Sequence, residues 1–583
     1  MIDIKLGYAS CGIASGAKDV LKEFKKKGLN VKLVGCIGAC FAEPIVEIKK
    51  DDYETIIYSN VKKDDVEKLL ESIEKDKKIK NVFAKRKDGK KSLIEAKYID
   101  ELDYYLSQEK RVSSLCGIID PTDIEDYIKH GGYESLKKAQ EIQPKEIIDL
   151  ILKSELRGRG GAGFLTGKKW NLMGEAKTKY FICNFDEGDP GAFMNRVLVE
   201  SCPHQLLEGM IIACLALDVK KAYIYTRAEY PLAVERLKIA IRDAKNKGLI
   251  GYKSDNGIDV EIRLGAGAYV CGEETALIKS IEGKAGRPTN KPPFPAQVGL
   301  FGKPTVINNV ETISNIPNII KKGEKWFKEV GSENNPGTKM FSFSGFTKVG
   351  GYIEVPLGIT IKELLKIAKV KESEIKGLHI GGPSGGTISL EYMDLKVDYD
   401  NVQKAGAIMG SGSMVIIPKD QDMVQLAKFF IEFSKSESCG KCVPCREGNV
   451  RLLEIIDKIL SGKGELNDLI ELEKMAKTIR DSSFCGLGKA APNPILSTLK
   501  YFREDYINHL KKGFILKPDE YYEINKSKCI GCHLCSIECP VGAITGKKMQ
   551  LHKIDINTCI RCGKCFNVCK VKAIDIKTFP ERK

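Results

Sequence analysis

No apolar run in this sequence reaches the roughly 20 residues that a bilayer-spanning helix requires. The opening residues, Met1-Ile-Asp-Ile-Lys5, lack the long apolar core of an export signal. Neither membrane insertion nor export is therefore expected, and the predicted setting is cytoplasmic. Clusters of basic residues interleaved with aromatics are also missing. The formal net charge is +15, yet lysine and arginine are spread along the chain, so nucleic acid is not an expected partner. A disulfide scaffold is excluded on other grounds: in a long, unexported chain thiols stay reduced, and closely spaced ones bind metal.

What is abundant is cysteine. Of 20 cysteines, 12 follow Glu437 in tight clusters and the other eight are mostly scattered. Residues 521–583 hold 12 Lys+Arg against 5 Asp+Glu. Two oxidised cubane clusters with thiolate ligands, each of about −2, would offset over half of that surplus.

A chain of 583 residues exceeds what one core organises. In residues 1–80, Ile2–Leu6, Val31–Val34 and Ile45–Ile48 have strand patterns, and Ala17–Lys27 and Lys63–Lys75 have helical spacing. The Lys- and Asp-rich stretch that follows, assigned to 81–110, reads as a linker that wraps the next domain rather than packing a core. In residues 111–335 the short apolar runs Tyr180–Cys183, Lys221–Tyr225 and Val260–Leu264 suit buried parallel strands. Residues 336–420 are strand-rich and punctuated by Gly345, Gly350-Gly351 and Gly381-Gly382-Pro383-Ser384-Gly385-Gly386, which predicts a compact β-grasp-like module. Apolar spacings of three and four make 421–515 helical, and 516–583 forms a separate domain with an internal repeat.

That repeat reads Cys529-x2-Cys532-x2-Cys535-x3-Cys539-Pro540, then Cys559-x2-Cys562-x2-Cys565-x3-Cys569. Three thiolates two residues apart can wrap three irons of a cubane, while the fourth points at the other cluster. One predicted set is Cys529, Cys532, Cys535 and Cys569; the other is Cys559, Cys562, Cys565 and Cys539. Two zinc knuckles would need CxxC pairs separated by longer loops and would leave the extra cysteines unused. The whole tail resembles bacterial two-cluster ferredoxins, with Lys570 where the first half has Pro540. His533 and His552 lie near these sets but read as surface residues, because the thiolate sets are already complete. A further triplet, Cys439-x2-Cys442-x2-Cys445, is followed 40 residues later by Cys485, and a helical bundle between them can bring the four to one cubane.

The run from Arg157 to Trp170 carries Gly158, Gly160, Gly161 and Gly163, whose bare backbone N–H groups can approach a phosphate, with Lys169 adding a positive charge. Together with Glu437–Gly448, Phe484–Gly488, Asn184–Gly191, Gly265–Leu277, Lys291–Pro295 and Ile307–Thr312, this run resembles the family of flavin- and NADH-binding subunits of respiratory complex I over about 111–490. The resemblance implies that Gly158, Gly160, Lys169, Asn184, Asp186, Tyr269, Gly272, Glu273, Asn308, Asn309 and Thr312 contact FMN. It also implies that Phe164, Phe294, Glu274 and Lys291 lie beside the nicotinamide nucleotide. Hydride passes directly to FMN without a protein acid or base, and Glu187 and Asp189 are expected to position. Asp189 stands where complex I relatives usually have Glu.

Cys11, with Gly35-Cys36-Ile-Gly-Ala-Cys40, resembles the thioredoxin-like [2Fe-2S] domain of related hydrogenase and complex I subunits. That domain uses four cysteines and this one offers three, with Leu6 or Gly16 where a partner to Cys11 is expected. An intact [2Fe-2S] cluster, a non-cysteine fourth ligand and a fold kept only for docking all remain open.

The expected fold is thus multi-domain α/β and α+β: a thioredoxin-like head, a Rossmann-like FMN/NADH domain, a β-grasp-like module, a helical bundle with one [4Fe-4S] cluster and a two-cluster ferredoxin tail. The added head and tail resemble the beta subunit of soluble NAD(P)-linked, electron-bifurcating [FeFe]-hydrogenases. They imply FMN, NAD(P)H, three [4Fe-4S] clusters and a candidate [2Fe-2S] cluster. The implied partners are a catalytic hydrogenase subunit, a small thioredoxin-like [2Fe-2S] subunit and an external ferredoxin. The alternatives are the diaphorase subunit of an NAD-dependent formate dehydrogenase and a non-catalytic electron-wiring scaffold.

Overall fold

The computed structural model describes residues 2–74, 81–251, 254, 256–510 and 520–578. Lys75 of the expected helix, residues 76–80, the end of the helical region at 511–515 and the expected start of the tail at 516–519 lie outside the described residues. Among the described residues no helix is long and apolar enough to cross a membrane.

In the head, β1 (Ile2–Gly7) pairs in parallel with β2 (Lys32–Val34) and antiparallel with β3 (Val46–Lys50), which continues into β4 (Ile56–Tyr58). The helix Ala17–Lys26 buries Ala17, Val20, Leu21 and Phe24, one apolar stripe at spacings of three and four. Gly28, at φ +70°, then ends it in the left-handed conformation that glycine adopts without a Cβ penalty. The expected linker is structured instead. β5 (Val82–Lys85) adds a fifth strand beside β4, and Tyr104 and Tyr105 of the helix Asp103–Leu106 are buried with Phe341, Ile353 and Val355 of a later sheet. Lysines at the rim hid an edge strand whose Ala84 faces inward.

The next sheet has the order β8-β7-β6-β9 and is parallel throughout: β6 (Tyr180–Phe185), β7 (Lys221–Arg227), β8 (Asp259–Gly265) and β9 (Thr305–Asn309). β6 and β7 are buried runs, as their composition predicts. β8 is an edge strand, not a buried one, and Leu264 is 56% exposed. Because all four strands point the same way, the loops after β6, β8 and β9 gather at one end of the sheet, where open α/β sheets bind ligands.

A two-residue hairpin, β10 (Gly331–Ser332) and β11 (Asn335–Pro336), leads to a mixed sheet ordered β13-β12-β16-β14-β15. It comprises β12 (Thr338–Gly345), β13 (Gly351–Pro356), β14 (Ile375–Ile380), β15 (Gly386–Ser389) and β16 (Ser413–Pro418), with β16 parallel to β12. The helix Ile361–Ile367 starts at a capping box, Thr360 with Glu363, and buries Ile361, Leu364 and Leu365. Four longer helices follow, Met423–Ser436, Gly448–Leu460, Leu466–Ser482 and Asn493–Tyr501, around Val424, Leu452, Leu472 and Ile495. The tail repeats a strand, a short helix and a strand. β17 (Glu520–Ile524) pairs with β20 (Ile574–Thr578), and β18 (Ile544–Thr545) pairs with β19 (Lys553–Ile554).

Candidate functional site

The glycine loop joins the helices Pro144–Lys153 and Thr166–Asn171 and packs against the end of β9. The Gly158 N–H donates to the Phe164 carbonyl at 2.8 Å, and the Tyr399 hydroxyl donates to the Gly158 carbonyl at 2.9 Å. Packing leaves no room for a side chain at Gly160, where a Cβ would lie 2.9 Å from that of Asn309. Gly161 and Gly163 both have positive φ. Arg159 is wholly buried, its N–H donating to Thr312 Oγ1 at 2.8 Å and its guanidinium to the Pro336 carbonyl at 2.9 Å. Lys169 Nζ donates to the Ile307 carbonyl at 3.1 Å and stands 3.7 Å from Glu274.

The ends of β6 and β9 supply amides. Asn184 donates to the Gly272 carbonyl and accepts from the Asp186 N–H, at 2.9 and 3.0 Å. Asn308 accepts from the Trp170 indole at 2.9 Å, and Asn309 caps the helix Val310–Lys322 through the Glu311 and Thr312 N–H groups. After β8, Glu273 caps the helix Glu274–Ile281 and pairs with Lys291 at 2.8 Å; Glu274 meets the same lysine at 2.7 Å. Burial opposes ionisation of Glu274, but Lys169 and Lys291 hold its carboxyl below the usual range. Phe164 and Phe294 expose 49% and 53% of their surface near this end.

The acidic loop after β6 divides its carboxylates. Asp186 keeps one carboxylate oxygen buried without a partner, and burial lifts its carboxyl to about 7 against the pull of Arg227. Glu187 turns inward, accepting from the Asn195 and Arg196 N–H groups at 3.0 Å each, so its place is under the loop at the start of the helix Met194–Ser201. Asp189 accepts from the Tyr269 hydroxyl at 2.5 Å and from Ser411 at 2.8 Å. The unpaired, buried Asp186 oxygen is an acceptor that fits a hydroxyl donor such as those of a flavin's ribityl chain, while the glycine loop with Lys169 beside it fits the phosphate.

Arg227, Tyr399, Ser411 and Arg159 were not legible as site residues. Ser411 and Tyr399 belong to the mixed-sheet module, whose Gly410 lies 3.5 Å from where a Gly161 Cβ would be. The glycine run 381–386 was the one available signal that this module comes close: a Cβ on Gly382 would lie 2.7 Å from Asp189.

Cys439, Cys442, Cys445 and Cys485 line one small hollow together with Val270 and Phe484. The closed set of four thiols suits a cubane. Glu437, two residues ahead of Cys439, accepts from the Tyr269 N–H at 2.9 Å. The loop 265–277 therefore touches both the cysteine hollow and the acidic loop.

In the tail, Cys529, Cys532, Cys535 and Cys569 line one small hollow. Burial pushes the Cys559 thiol up, and neighbouring Cys562 and Cys539 push it further, so these stand together around the second position. His552 is not at the surface: it is 4% exposed, lies 2.7 Å from His533, and with it walls the first hollow. The two rings fill space that the cysteines leave, which the count of ligands could not reveal.

In the head, Cys11, Cys36 and Cys40 bring their sulfurs within 4.8 Å of one another. Among the described residues no fourth cysteine joins them; Glu43, 5% exposed, lies beside Cys11 with Oε1 3.7 Å from its Sγ. A four-thiolate [2Fe-2S] cluster does not fit this donor set. Spacing from Cys11 points to Leu6 or Gly16 for the missing partner, and neither offers a donor side chain.

Residues 151–318 match the Nuo51 FMN-binding domain, 425–509 the NADH-ubiquinone oxidoreductase-F iron-sulfur binding region, and 522–545 and 552–575 the 4Fe-4S binding domain. The NADP-reducing hydrogenase subunit HndC of Solidesulfovibrio fructosivorans is 47% identical over 75% of this chain and 91% of its own length. The second F-type subunit of NADH-quinone oxidoreductase in Rhizobium meliloti is 42% identical over 67% of this chain and 94% of its own. A crystal structure of NAD+-reducing [NiFe]-hydrogenase in the H2-reduced state is similar at TM-score 0.63 and 28% identity, covering 88% of this chain and 84% of that one.

Proposed function

From the premise that this chain belongs to the family of the F-type NADH-quinone oxidoreductase subunits and the hydrogenase subunit HndC, we propose that it joins NAD(P)H to a one-electron chain inside a hydrogenase. It is an NAD(P)H-linked flavoprotein subunit with FMN-binding and 4Fe-4S regions. FMN, when bound, supplies the conversion of a two-electron hydride into single-electron transfers. The chain's own residues bind and orient. The glycine loop and Lys169 hold the phosphate, Asn184, Asp186, Asn308, Asn309 and Thr312 fix the rest of the flavin, and Phe164 and Phe294 offer faces to the adenine. Glu274 and Lys291 take the ribose end of NAD(P)H. Tyr269 and Ser411 hold Asp189 at the nicotinamide end, while Glu187 braces the loop from below.

The observation that carries the proposal is the shared loop, with Tyr269 bonded to Asp189 and to Glu437 and Val270 lining the Cys439 hollow. Three [4Fe-4S] clusters are proposed, on Cys439, Cys442, Cys445 and Cys485, and on the two crossed sets of the tail. The tail extends the proposal to electron bifurcation with an external ferredoxin, beside a catalytic hydrogenase subunit and a small [2Fe-2S] subunit. Chain reconstituted with FMN, iron and sulfide should reduce an artificial acceptor with NADH or NADPH. Full flavin and iron content without that activity would refute the enzyme reading. Copurification with a formate dehydrogenase subunit in place of a hydrogenase would refute the choice of complex.

A further inference from the structure

We propose that the cavity where the head, the connection after β5 and the entry to the parallel-sheet domain meet is a binding site for a small organic monocarboxylate, held by Lys110 and Arg86. The cavity has a volume of about 250 Å³, and its wall draws on all three segments: Ile37 from the turn between Cys36 and Cys40, Arg86 just after β5, Ile99 and Lys110 from the connection, and Ile118 from the next domain. Pockets for drug-sized ligands start at about 300 Å³, so this one suits a smaller molecule. None of its residues belongs to the flavin, nucleotide or cubane sets.

The charges around the cavity leave one cation uncompensated. Arg86 forks onto Glu47, at 3.0 Å through Nε and 2.5 Å through Nη2, so that pair is neutral. Asp100, which also lines the space, is exposed and lies 3.6 Å from Lys87. Burial pushes the Cys116 thiol up to about 11, so it adds no charge. Lys110 has no counter-ion: its ammonium donates to the Ile37 carbonyl at 2.9 Å and lies 4.7 Å from the centre of the Tyr105 ring, and among the described residues it forms no ion pair. Glu354 acts on it from farther off, its own oxygens taken by the Val112 and Ser113 N–H groups at 2.9 and 2.8 Å. Burial pulls the Lys110 ammonium down to about 8, the mark of a cation kept from water without a partner. A monoanion balances this count, whereas a phosphate dianion overshoots it.

The open donors also suit a carboxylate. Because Arg86 meets Glu47 through Nε and Nη2, its Nη1 has no partner among the described residues, and Lys110 keeps two N–H groups beyond its bond to Ile37. Two such donors match two carboxylate oxygens. Gln108 and Ser114 are already engaged, donating to the Tyr104 and Arg111 carbonyls at 2.7 and 3.2 Å. Ile37, Ile99, Tyr105 and Ile118 make much of the remaining wall apolar, which calls for a short hydrocarbon on the ligand. An occupant would fasten the connection to both domains at a point where they already press together, since a Cβ on Gly117 would come 2.2 Å from Ile37 Cγ2.

The test is made on the full-length chain, with sodium butyrate as the probe and sodium chloride at matched ionic strength as the control. Calorimetric titration should find a single saturable butyrate site, and butyrate should raise the melting temperature and slow amide exchange across 99–118. Lys110→Met should weaken butyrate binding at least tenfold while leaving the flavin fluorescence titration unchanged. Ile99→Trp, which fills the cavity, should abolish butyrate binding without touching either cation. Four outcomes would overturn the proposal: no saturable butyrate binding, binding that survives Lys110→Met, binding that survives Ile99→Trp, or inorganic phosphate taking the same site more tightly than butyrate. If Lys110→Met does not fold, Ile99→Trp and the titration of the unaltered chain still decide.

Discussion

Replacing Lys339 with methionine should destabilise the protein by about 3–5 kcal/mol at pH 8. Lys339 and Glu311 form an ion pair whose side chains are 0% and 1% exposed. The ammonium donates to the Glu311 carboxylate and to the Met340 carbonyl, and the carboxylate also accepts the Met340 N–H at 2.8 Å. The pair thus ties β12 to the first turn of Val310–Lys322, the turn that carries Thr312. Burial pushes the Glu311 carboxyl up and the Lys339 amine down, and each charge opposes the shift of the other. Without Lys339 the carboxyl rises further above its unfolded value of about 4.3. A raised acid leaves stability intact at low pH and loses it as pH climbs through the folded value, at up to about 1.4 kcal/mol per pH unit. The deficit should therefore narrow toward pH 5 and widen toward pH 8. Adding Glu311→Gln should restore at least about 2 kcal/mol, because the uncompensated charge is what costs. Urea unfolding of the parent, the two single variants and the double variant at both pH values measures this. A Lys339→Met variant within about 1 kcal/mol of the parent at pH 8, a pH-independent deficit, or a double variant no better than Lys339→Met alone would refute the reasoning.

In flavin-free chain, Asp186 has a folded value of about 7 against an ordinary 3.8, so it subtracts stability as pH rises across that window. Asp186→Asn should flatten the fall in melting temperature between those limits, and an unaltered profile would count against the assignment. Gly160→Ala should weaken FMN binding at least tenfold, about 1.4 kcal/mol, by flavin fluorescence titration, since its Cβ would press on Asn309 at 2.9 Å. Cys529→Ser, Cys569→Ser and the double variant should each lose about four irons per chain, because the two cysteines serve one cluster. A double variant that loses about eight irons would break the crossed pairing.

The parts of the molecule that could be read from sequence are those in which chemistry is encoded by short spacing. Each CxxCxxC run places three thiols through local backbone geometry, and the glycine loop declares itself by composition. What escaped reading is set by long-range contact. β9, Thr305–Asn309, ends in two asparagines and shows no apolar run, yet pairing with β6 makes it a central part of the site. Ser411 reaches the acidic loop, and Tyr399 the glycine loop, only because their module packs against both. β5 hides among lysines, as edge strands commonly do, since charge there blocks unwanted pairing. Glu43 sits in Phe41-Ala-Glu-Pro-Ile-Val46, a lone carboxylate in an apolar stretch three residues after Cys40. That was a usable signal, because an acid in such a stretch is expelled to solvent, paired, or kept protonated, and burial pushes the Glu43 carboxyl well up.

The proposed electron path depends on how firmly the flavin and the Cys439 set are spaced, and the chain fixes that spacing with short covalent segments. Tyr269 holds Asp189 through its hydroxyl and Glu437 through its backbone N–H, and Glu437 is two residues from Cys439. The next residue of the loop, Val270, is itself a wall of the cysteine hollow. On the far side Ser411 holds the other oxygen of Asp189, and Lys441, between two cysteines, donates to the Pro288 carbonyl at 2.6 Å. Both sites are thus bound into the parallel-sheet domain from two directions. A domain that merely docked would let the distance between donor and acceptor vary. Here that distance can change only if the loop 265–277 itself refolds, so loss of hydride exchange and loss of the cluster's reduction by NAD(P)H should occur together when that loop is disturbed.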